Sequence, residues 1–404
     1  MKPVAVVGPL APPLTSSDHH ASHRGLLLRP EAPAGANRID AIVVPTTRPT
    51  PYLRHAVELS KKLRCPLVAL CSGKWTNASQ VRAIDHEAEI IAIDVASETA
   101  LSLPRFRTSS VLPKDFRRGT DTAAKRNLAL ALARMLGWRR IVFLDDDIEV
   151  SAPDDLRRAA GLLDEFDAVG LSIGGFPDNS VVCHAYRAVG GEQDSFVGGG
   201  ALAVEISRNI AFFPDIYNED WFYLLESDGL RPLAVTGRVK QATYDPFRNP
   251  DRARKEEFGD VLAEGIFWLL DEGRKIDDAN QRHWEDFLTR RRRFITGVLR
   301  SLPQASVGHE ERQRMAEALK ASLGRLKRID PDLCCRYLDA WRADLKAWHD
   351  FVQPLPRAGS VREALRVLAS PGCPPLNVRI RTQKAAKETP AASSSPARFA
   401  SVSL

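Results

Sequence analysis

The sequence predicts an α/β fold in which a mostly parallel sheet is covered by helices on both faces. Apolar runs of strand length at residues 41–44, 67–70 and 89–93 are separated by segments with helix-like periodicity. A longer helical pattern over residues 123–136 precedes a further strand at 141–144. Ligands of such sheets bind beyond the carboxyl ends of the strands, so residues that follow these strands are the first functional candidates.

The bulk composition is that of a globular protein with one large domain and an appendage. The chain has 404 residues, of which 44% are hydrophobic and 27% charged, and its net charge of +6 leans towards an anionic substrate without requiring nucleic acid. No stretch approaches the roughly 20 apolar residues of a membrane helix, and the first residues lack signal-peptide order. The six cysteines show no paired metal-ligand spacing, so we expect reduced thiols in a cytoplasmic protein.

Composition divides the chain into four segments. Residues 1–38 are rich in Pro, Ala, Ser and His, which predicts a disordered leader, and residues 39–280 carry the α/β pattern. Long charged amphipathic patterns over 281–370 predict an all-helical appendage that serves as a lid or an oligomer contact. The polar, low-complexity residues 371–404 are predicted to be a disordered tail.

Two clusters outside the α/β segment suggest binding sites, but composition explains them as well. His19, His20 and His23 suggest a metal site, and we interpret them as part of a flexible leader. The arginine run at 290–293 would suit phosphates, lipid head groups or nucleic acid, and we interpret it as the solvated face of a helix.

Three aspartates follow the strand at 141–144 directly: Asp145, Asp146 and Asp147. Packing like charges on one turn costs free energy unless a cation neutralises them, and Mg²⁺ or Mn²⁺ prefers such oxygen ligands. A bound ion would leave coordination positions for phosphate oxygens and would stabilise a diphosphate as it leaves. The alternative is an acidic surface turn.

Two further segments could contact the same ligand. Lys125 and Arg126, followed by Asn127, lie near the start of the helix that leads to the aspartates and could pair with phosphate charge, unless they are only a solvated first turn. Downstream there are three successive glycines, Gly198, Gly199 and Gly200. Glycines allow the backbone to approach a ligand closely and to adopt torsion angles that other residues cannot adopt. A simple glycine-rich turn explains them too.

This order of a basic-Asn segment, a helix, a strand and an Asp-x-Asp resembles the GT-A glycosyltransferases, nearest to family 2. The resemblance covers about 240 residues and implies a Rossmann-like GT-A nucleotide-diphospho-sugar transferase fold with a C-terminal helical appendage. It also implies that Asp145 and Asp146 contact the nucleotide sugar. The metal, Mn²⁺ or Mg²⁺, would be bound by Asp145 and Asp147.

The resemblance extends to both sides of the triplet. The residues after the first strand are similar to the family's loop at the base and ribose: Pro45, Thr46, Thr47 and Arg48. The glycines resemble the small-residue loop beside the donor sugar. Glu219 and Asp220 look like the family's E-D motif, in which one carboxylate takes the proton of the acceptor hydroxyl. We expect Asp220 to be this base, with Glu219 second, and helix capping is the alternative.

The sequence departs from the family pattern at two places. Relatives often supply a further metal ligand, usually His, in a stretch that here spans residues 240–245 and has no His. His184 or His283 could substitute, although a lone His is more often a hydrogen-bonded or surface residue, so the third ligand stays open. Residues 281–284 resemble the Q-x-x-R-W segment of processive members but are shorter and differently ordered, so a processive polymerase is not inferred.

The expected function is therefore a metal-dependent glycosyltransferase of the hexosyltransferase type. It would move a sugar from a UDP- or GDP-linked donor to a hydroxyl acceptor, with no nucleic acid partner. A nucleotidyltransferase or a phosphatase of the haloacid-dehalogenase kind is an alternative, but the latter expects its aspartates near the start of its domain, whereas about a hundred residues of α/β pattern precede them here. A degenerate transferase domain acting as a binding module is a third possibility. The sugar, the nucleotide, the acceptor, the stereochemical outcome and the oligomeric state stay open.

Overall fold

A computed structural model of the chain describes residues 18–30, 35–95, 97–208 and 211–382. The predictions for residues 1–17, 31–34 and 383–404 lie outside these ranges. No helix among the described residues is long and apolar enough to cross a membrane.

The described residues form one nine-stranded mixed sheet. Its strands are β1 Ala41–Thr46, β2 Leu67–Cys71, β3 Ile90–Asp94, β4 Arg140–Leu144, β5 Ile148–Glu149, β6 Ala168–Gly175, β7 Ala201–Glu205, β8 Leu233–Gln241 and β9 Val378–Arg381. They lie in the order β5-β8-β6-β7-β4-β1-β2-β3-β9. The predicted α/β class is confirmed.

The sheet is less parallel than the sequence predicts. Strands β4, β1, β2 and β3 are parallel neighbours, and β6 is parallel to β8. β7 runs antiparallel to both β4 and β6, β5 runs antiparallel to β8, and β9 runs antiparallel to β3. Six of the nine described strands point in one direction, but only four of the eight neighbouring pairs are parallel, so the expectation of a mostly parallel sheet holds in part.

The parallel strands follow from their apolar runs. Every residue of β2 is buried, as expected for a strand with helices on both faces. Parallel pairing of β1 with β4 matches Val43 with Phe143, so the two strands end side by side. The residues after Thr46 and after Leu144 therefore meet at one edge of the sheet.

The helices of the described residues are α1 Arg54–Leu63, α2 Ala78–Arg82, α3 Arg107–Val111, α4 Thr122–Leu136, α5 Pro153–Leu162, α6 Val181–Ala188, α7 Glu219–Tyr223, α8 Pro250–Asp271, α9 Gln281–Ser301, α10 His309–Leu326, α11 Pro331–Val352 and α12 Val361–Leu368. Helix α4 ends at Gly137, whose φ of 76° is the left-handed conformation expected of a glycine stop. Sequence analysis missed α8 because it is buried on nearly all sides and includes buried acidic residues, which remove the amphipathic signal.

The helices beyond residue 281 pack against the rest of the molecule. Trp284, Trp341 and Trp348 are fully buried in the main hydrophobic core. The buried carboxylate of Asp344 on α11 accepts hydrogen bonds from the backbone N–H groups of Arg107 and Thr108 at 2.7 and 2.8 Å, at the start of α3. The C-terminal helices are therefore continuous with the core of the α/β part.

The structure differs from two of the predicted disordered segments. In the leader, His19 and His23 are buried, and the backbone of Leu28 pairs with β8 through Val235 N–H at 3.0 Å. In the tail, β9 closes the sheet beside β3. Composition failed here because short polar segments gain their order from hydrogen bonds to an existing sheet edge and not from a core of their own.

Candidate active site

A cleft lies beyond the carboxyl ends of β1 and β4, and it has two lobes. The triplet lobe, of about 190 Å³, brings together most of the predicted donor residues, namely Pro45, Thr46, Thr47, Arg48, Lys125, Arg126, Asp145, Asp146 and Asp147. The glycine lobe, of about 120 Å³, is lined in part by Gly198, Gly200 and Asp220. Arg118, Arg126, Asp145 and Glu219 line both lobes and form the wall between them.

Each carboxylate of the aspartate triplet has a partner. Asp146 accepts a hydrogen bond from Thr46 Oγ1 at 2.6 Å, and its other oxygen lies 3.0 Å from Arg48 Nη1. Arg48 Nη2 donates to Asp147 at 2.7 Å. Burial raises the pKa of Asp146 to about 6, although Thr46 and Arg48 oppose the shift, and burial also raises the pKa of Asp145. The triplet is thus a concentration of negative charge that is only partly neutralised.

The triplet has the donor chemistry of a hard divalent cation site. Carboxylate oxygens are the ligands that Mg²⁺ and Mn²⁺ prefer, although the ligand atoms of the three aspartates do not all lie within 4.8 Å of one another. The side chain of Asp145 is 39% exposed, so it can be reached from the cleft. Arg48, which holds Asp146 and Asp147, is 41% exposed and lies over the ring of Tyr52. Asp145 and Asp147 would hold the ion, as the resemblance implies.

Lys125 and Arg126 lie at the cleft, but both are buried and hydrogen-bonded. Lys125 Nζ donates to Thr46 O at 3.0 Å and to Ser72 Oγ at 2.7 Å, and burial lowers its pKa. Arg126 donates to Asp145 at 3.0 Å and to Glu219 at 3.0 Å. They fix the end of β1 and the wall of the cleft, and neither is the solvated first turn that was the alternative.

Asn127 lines neither lobe of the cleft, so the structure does not bring it together with the other predicted donor residues. Its side-chain amide donates to Phe213 O and accepts from Phe213 N–H, both at 2.8 Å. Its helix position one residue beyond Arg126 turns it away from the site.

The three glycines are required by space and not by torsion. None of them has a positive φ, which corrects that part of the expectation. A side chain at Gly199 would meet the guanidinium of Arg126, and one at Gly200 would lie 3.3 Å from Asp145 Oδ2. A side chain at Gly198 would lie 3.1 Å from Asp220 Oδ2 and 3.5 Å from Asp178 Oδ2. Three carboxylates therefore approach this backbone closely.

The two residues of the predicted E-D motif have different environments. Glu219 is buried and accepts hydrogen bonds from Arg118 and Arg126, so both of its oxygens are paired with guanidinium groups. Asp220 Oδ2 accepts from the backbone N–H of Gly199 at 2.6 Å, and Oδ1 accepts from Trp221 N–H at 2.9 Å. Burial and then the charge of Glu219 raise the pKa of Asp220.

Sequence analysis missed Asp178, which lines the glycine lobe beside Asp220. Desolvation on the side that faces the lobe, followed by the charges of Asp220 and Asp145, raises the pKa of Asp178, although the residue keeps contact with solvent. Asp178 could have been predicted from its position three residues after Gly175, the last residue of β6. The polar and glycine-rich end of β6 did not show the apolar pattern by which a strand is recognised.

Neither histidine considered as a third metal ligand lines the cleft. His184 is hydrogen-bonded to Tyr244 Oη at 3.0 Å, and burial lowers its pKa to about 3. His283 lines a separate cavity beside Trp268. The stretch at 240–245 does reach the triplet, because Ala242 N–H donates to Asp147 O at 2.9 Å. The third ligand stays open.

Comparisons with known proteins assign no family. No protein-family model matches the chain, and no curated protein sequence matches it significantly. Among solved structures, 11 chains match, and one of them is the mannosyltransferase PcManGT from Pyrobaculum calidifontis in complex with GDP-Man and Mn²⁺. It shares 16% identity over 78% of this chain and 91% of that chain, with a TM-score of 0.39. At this identity and TM-score the likeness gives neither a family nor a substrate for this chain.

Proposed function

We propose that this chain is a metal-dependent glycosyltransferase that moves a sugar from a nucleoside diphosphate donor to a hydroxyl acceptor. One observation carries the proposal. The aspartate triplet and Asp220, which are far apart in sequence, lie in adjoining lobes of one cleft, separated by the Arg126–Asp145 pair. A transferase needs this arrangement, because the donor diphosphate and the acceptor hydroxyl must meet at the sugar between them.

The triplet lobe is the proposed donor site. Asp145 and Asp147 would hold a divalent ion, which would supply positive charge to the leaving diphosphate. Arg48 would pair with phosphate oxygens, and Arg118 faces the same lobe. Residues 45–47 at the end of β1 would contact the nucleoside. The donor is expected to be UDP- or GDP-linked, and the sugar to be a hexose.

The glycine lobe is the proposed acceptor site, with Asp220 as the general base. The acceptor oxygen forms a bond to the anomeric carbon, the bond from that carbon to the diphosphate oxygen breaks, and the hydroxyl proton passes to Asp220. The raised pKa of Asp220 increases its strength as a base. Glu219 instead orients Arg118 and Arg126 at the wall of the cleft.

A screen of nucleotide sugars for thermal stabilisation, with Mn²⁺ or with EDTA, tests this function. We expect at least one UDP- or GDP-sugar to raise the melting temperature with metal, and the effect to disappear with EDTA or in Asp147→Asn. Asp339→Asn, a change at a carboxylate that is 78% exposed on α11, is the matched control. Equal stabilisation with and without metal would refute the metal dependence, and binding without any turnover would favour a degenerate module.

No contact among the described residues favours the phosphatase alternative. A nucleophilic aspartate needs an unhindered oxygen near the substrate phosphate. In the triplet, Asp146 is bonded through both oxygens to Thr46 and Arg48. Formation of an acyl phosphate on Asp145 or Asp147, detected by trapping with hydroxylamine, would support that alternative against the transferase.

A further inference from the structure

A second cluster of metal-ligating side chains lies outside the aspartate triplet. We propose that His20, His23 and Asp271 bind a divalent d-block cation, with Zn²⁺ as the preferred ion. This ion holds the N-terminal segment 18–30 against helix α8. One potential ligand atom from each of the three residues lies within 4.8 Å of the other two. His20 and His23 stand three residues apart in the chain, and Asp271 is the last residue of α8.

The distances suit a tetrahedral ion. Ligand atoms at the roughly 2.0–2.1 Å typical of zinc–nitrogen and zinc–oxygen bonds are about 3.3 Å apart in a tetrahedron. His20 Nδ1 lies 3.4 Å from Asp271 Oδ2, close to that value. His23 Nδ1 contacts the same carboxylate oxygen directly, so this pair must separate slightly to admit the ion. Water would complete the coordination.

The orientation of His23 is compatible with metal binding. Its Nε2 lies 3.1 Å from Glu264 Oε2, so Nε2 carries the proton that is donated to this carboxylate. Its Nδ1 faces the carboxylate of Asp271. A cation must lie between them, either a second ring proton or a metal ion. A metal-bound histidine usually binds the metal through one ring nitrogen and donates a hydrogen bond to a carboxylate through the other.

His20 supplies a ligand atom that nothing else uses. Its Nδ1 is buried and has no hydrogen-bond partner among the described residues. Its ring stacks on that of His23 with centroids 4.9 Å apart, which keeps both Nδ1 atoms on the same side of the cluster. The side chain is 33% exposed, so an ion can enter from solvent.

The two clusters would prefer different metals. Imidazole nitrogens with one carboxylate suit Zn²⁺, whereas the carboxylates of the triplet suit Mg²⁺ or Mn²⁺.

A proton shared by His23 and Asp271 competes with the metal ion for this site, because it also neutralises the carboxylate. The experiment must therefore distinguish an ion from a proton.

The proposed ion would order one wall of the glycine lobe. The ring of His23 packs edge-on against Trp221 and Phe196, with centroids 5.4 and 6.4 Å apart, and both residues line that lobe. Glu264, the hydrogen-bond partner of His23, lines it as well. Fastening residues 18–30 would keep this wall in place.

The test uses the full chain without an affinity tag, treated with chelator and then titrated with Zn²⁺ by calorimetry. An Asp147→Asn background removes the triplet's contribution. We expect one Zn²⁺ per chain in this background, and an affinity at least about tenfold weaker after His20→Gln, which is the loss that even an outer partner of a ligand causes. His309→Gln, at an exposed histidine on α10, is the matched control and should bind as the background does.

Two further readouts separate metal binding from a structural effect. Co²⁺ in place of Zn²⁺ should give the strong visible absorption of a four-coordinate ion, and His20→Gln should lose it. Zn²⁺ should also slow tryptic cleavage after Arg24, whose side chain is 46% exposed, in the background but not in His20→Gln. Equal Zn²⁺ affinity in the background and in His20→Gln, or no Co²⁺ absorption at all, would overturn the proposal and leave the proton as the occupant.

Discussion

The arginine run on α9 yields a stability prediction that compares two adjacent side chains. Arg291 is buried, donates to both oxygens of Glu257 at 2.9 and 3.0 Å and donates to Asp260 at 2.7 Å. Its side chain is 2% exposed, and those of the two carboxylates are 0% and 4% exposed. The next residue, Arg292, is exposed. The prediction that this whole run is a solvated face is therefore wrong for Arg291.

Arg291→Met should lower the free energy of unfolding by about 3–5 kcal/mol, the usual cost of leaving buried charge without its partner. The upper half of that range is expected because two carboxylates lose one cation. Arg292→Met, in the same helix and with the same change of side chain, should lie within about 0.5 kcal/mol of the parent. Urea denaturation followed by circular dichroism measures both.

The pH dependence of this loss has a definite sign. Burial already raises the pKa of Asp260 against the opposing charge of Arg291, and removal of the arginine should raise it further. A carboxyl group with a raised folded-state pKa contributes stability that is lost as pH rises through that pKa. The gap between Arg291→Met and the parent should therefore widen as pH rises above about 7, because below that pH Asp260 keeps its proton in both folded proteins. A similar loss in Arg291→Met and Arg292→Met, or a gap that narrows with pH, would refute the reasoning.

Three further outcomes follow from the cleft. Asp220→Asn should lower turnover by about 10²- to 10⁴-fold and leave the affinity for the donor nearly unchanged. Asp147→Asn should instead lose metal-dependent donor binding, as measured by calorimetry. Equal loss of donor binding in both variants would place Asp220 in the metal site. The stability of the parent should fall as pH rises from 3.8 to about 6, because the pKa of Asp146 is raised to about 6 in the folded protein. Asp146→Asn should remove this fall. An unchanged dependence of the urea midpoint on pH in the variant would contradict the raised pKa. Gly199→Ala should displace the guanidinium of Arg126 and reduce turnover more than it reduces stability. Kinetics like those of the parent would contradict this and show that the guanidinium adapts to the added methyl group.

The sequence predicted the parts of the fold that local patterns encode. Strand β1 was placed correctly apart from two added residues at its end, and α9, α10 and α11 lie in the segment 281–370 that was predicted to be helical. Apolar periodicity is a property of each segment, so it can be recognised without the partners. The antiparallel insertion of β7 and the pairing of β9 depend on distant segments, and no local pattern contains them.

The candidate site shows the same division. The aspartates were singled out because they directly follow a predicted strand, and the loop after β1 because it resembles the family's loop at the base and ribose; the structure brings both to one edge of the sheet. Asn127 was assigned to the cleft because it adjoins Arg126 in sequence, but on a helix one step rotates the side chain by about 100° and directed it to Phe213. The salt bridges of Glu219 and the approach of Asp178 depend on tertiary packing, which spacing along the chain does not show.

Asp178 and Asp220 can divide two chemical roles between them under the proposed function. Both carboxylates lie within 3.5 Å of the position that a side chain at Gly198 would take, so ionising one makes ionising the other harder. Asp220 accepts two backbone N–H bonds, which favour its charged form. Desolvation and then the charge of Asp220 raise the pKa of Asp178. The group of the two that ionises first would be the base, and the other would keep its proton and donate a hydrogen bond to a hydroxyl group of the acceptor. Because the two depend on one another, Asp220→Asn should lower the pKa of Asp178, and an unchanged Asp178 titration would separate the two groups.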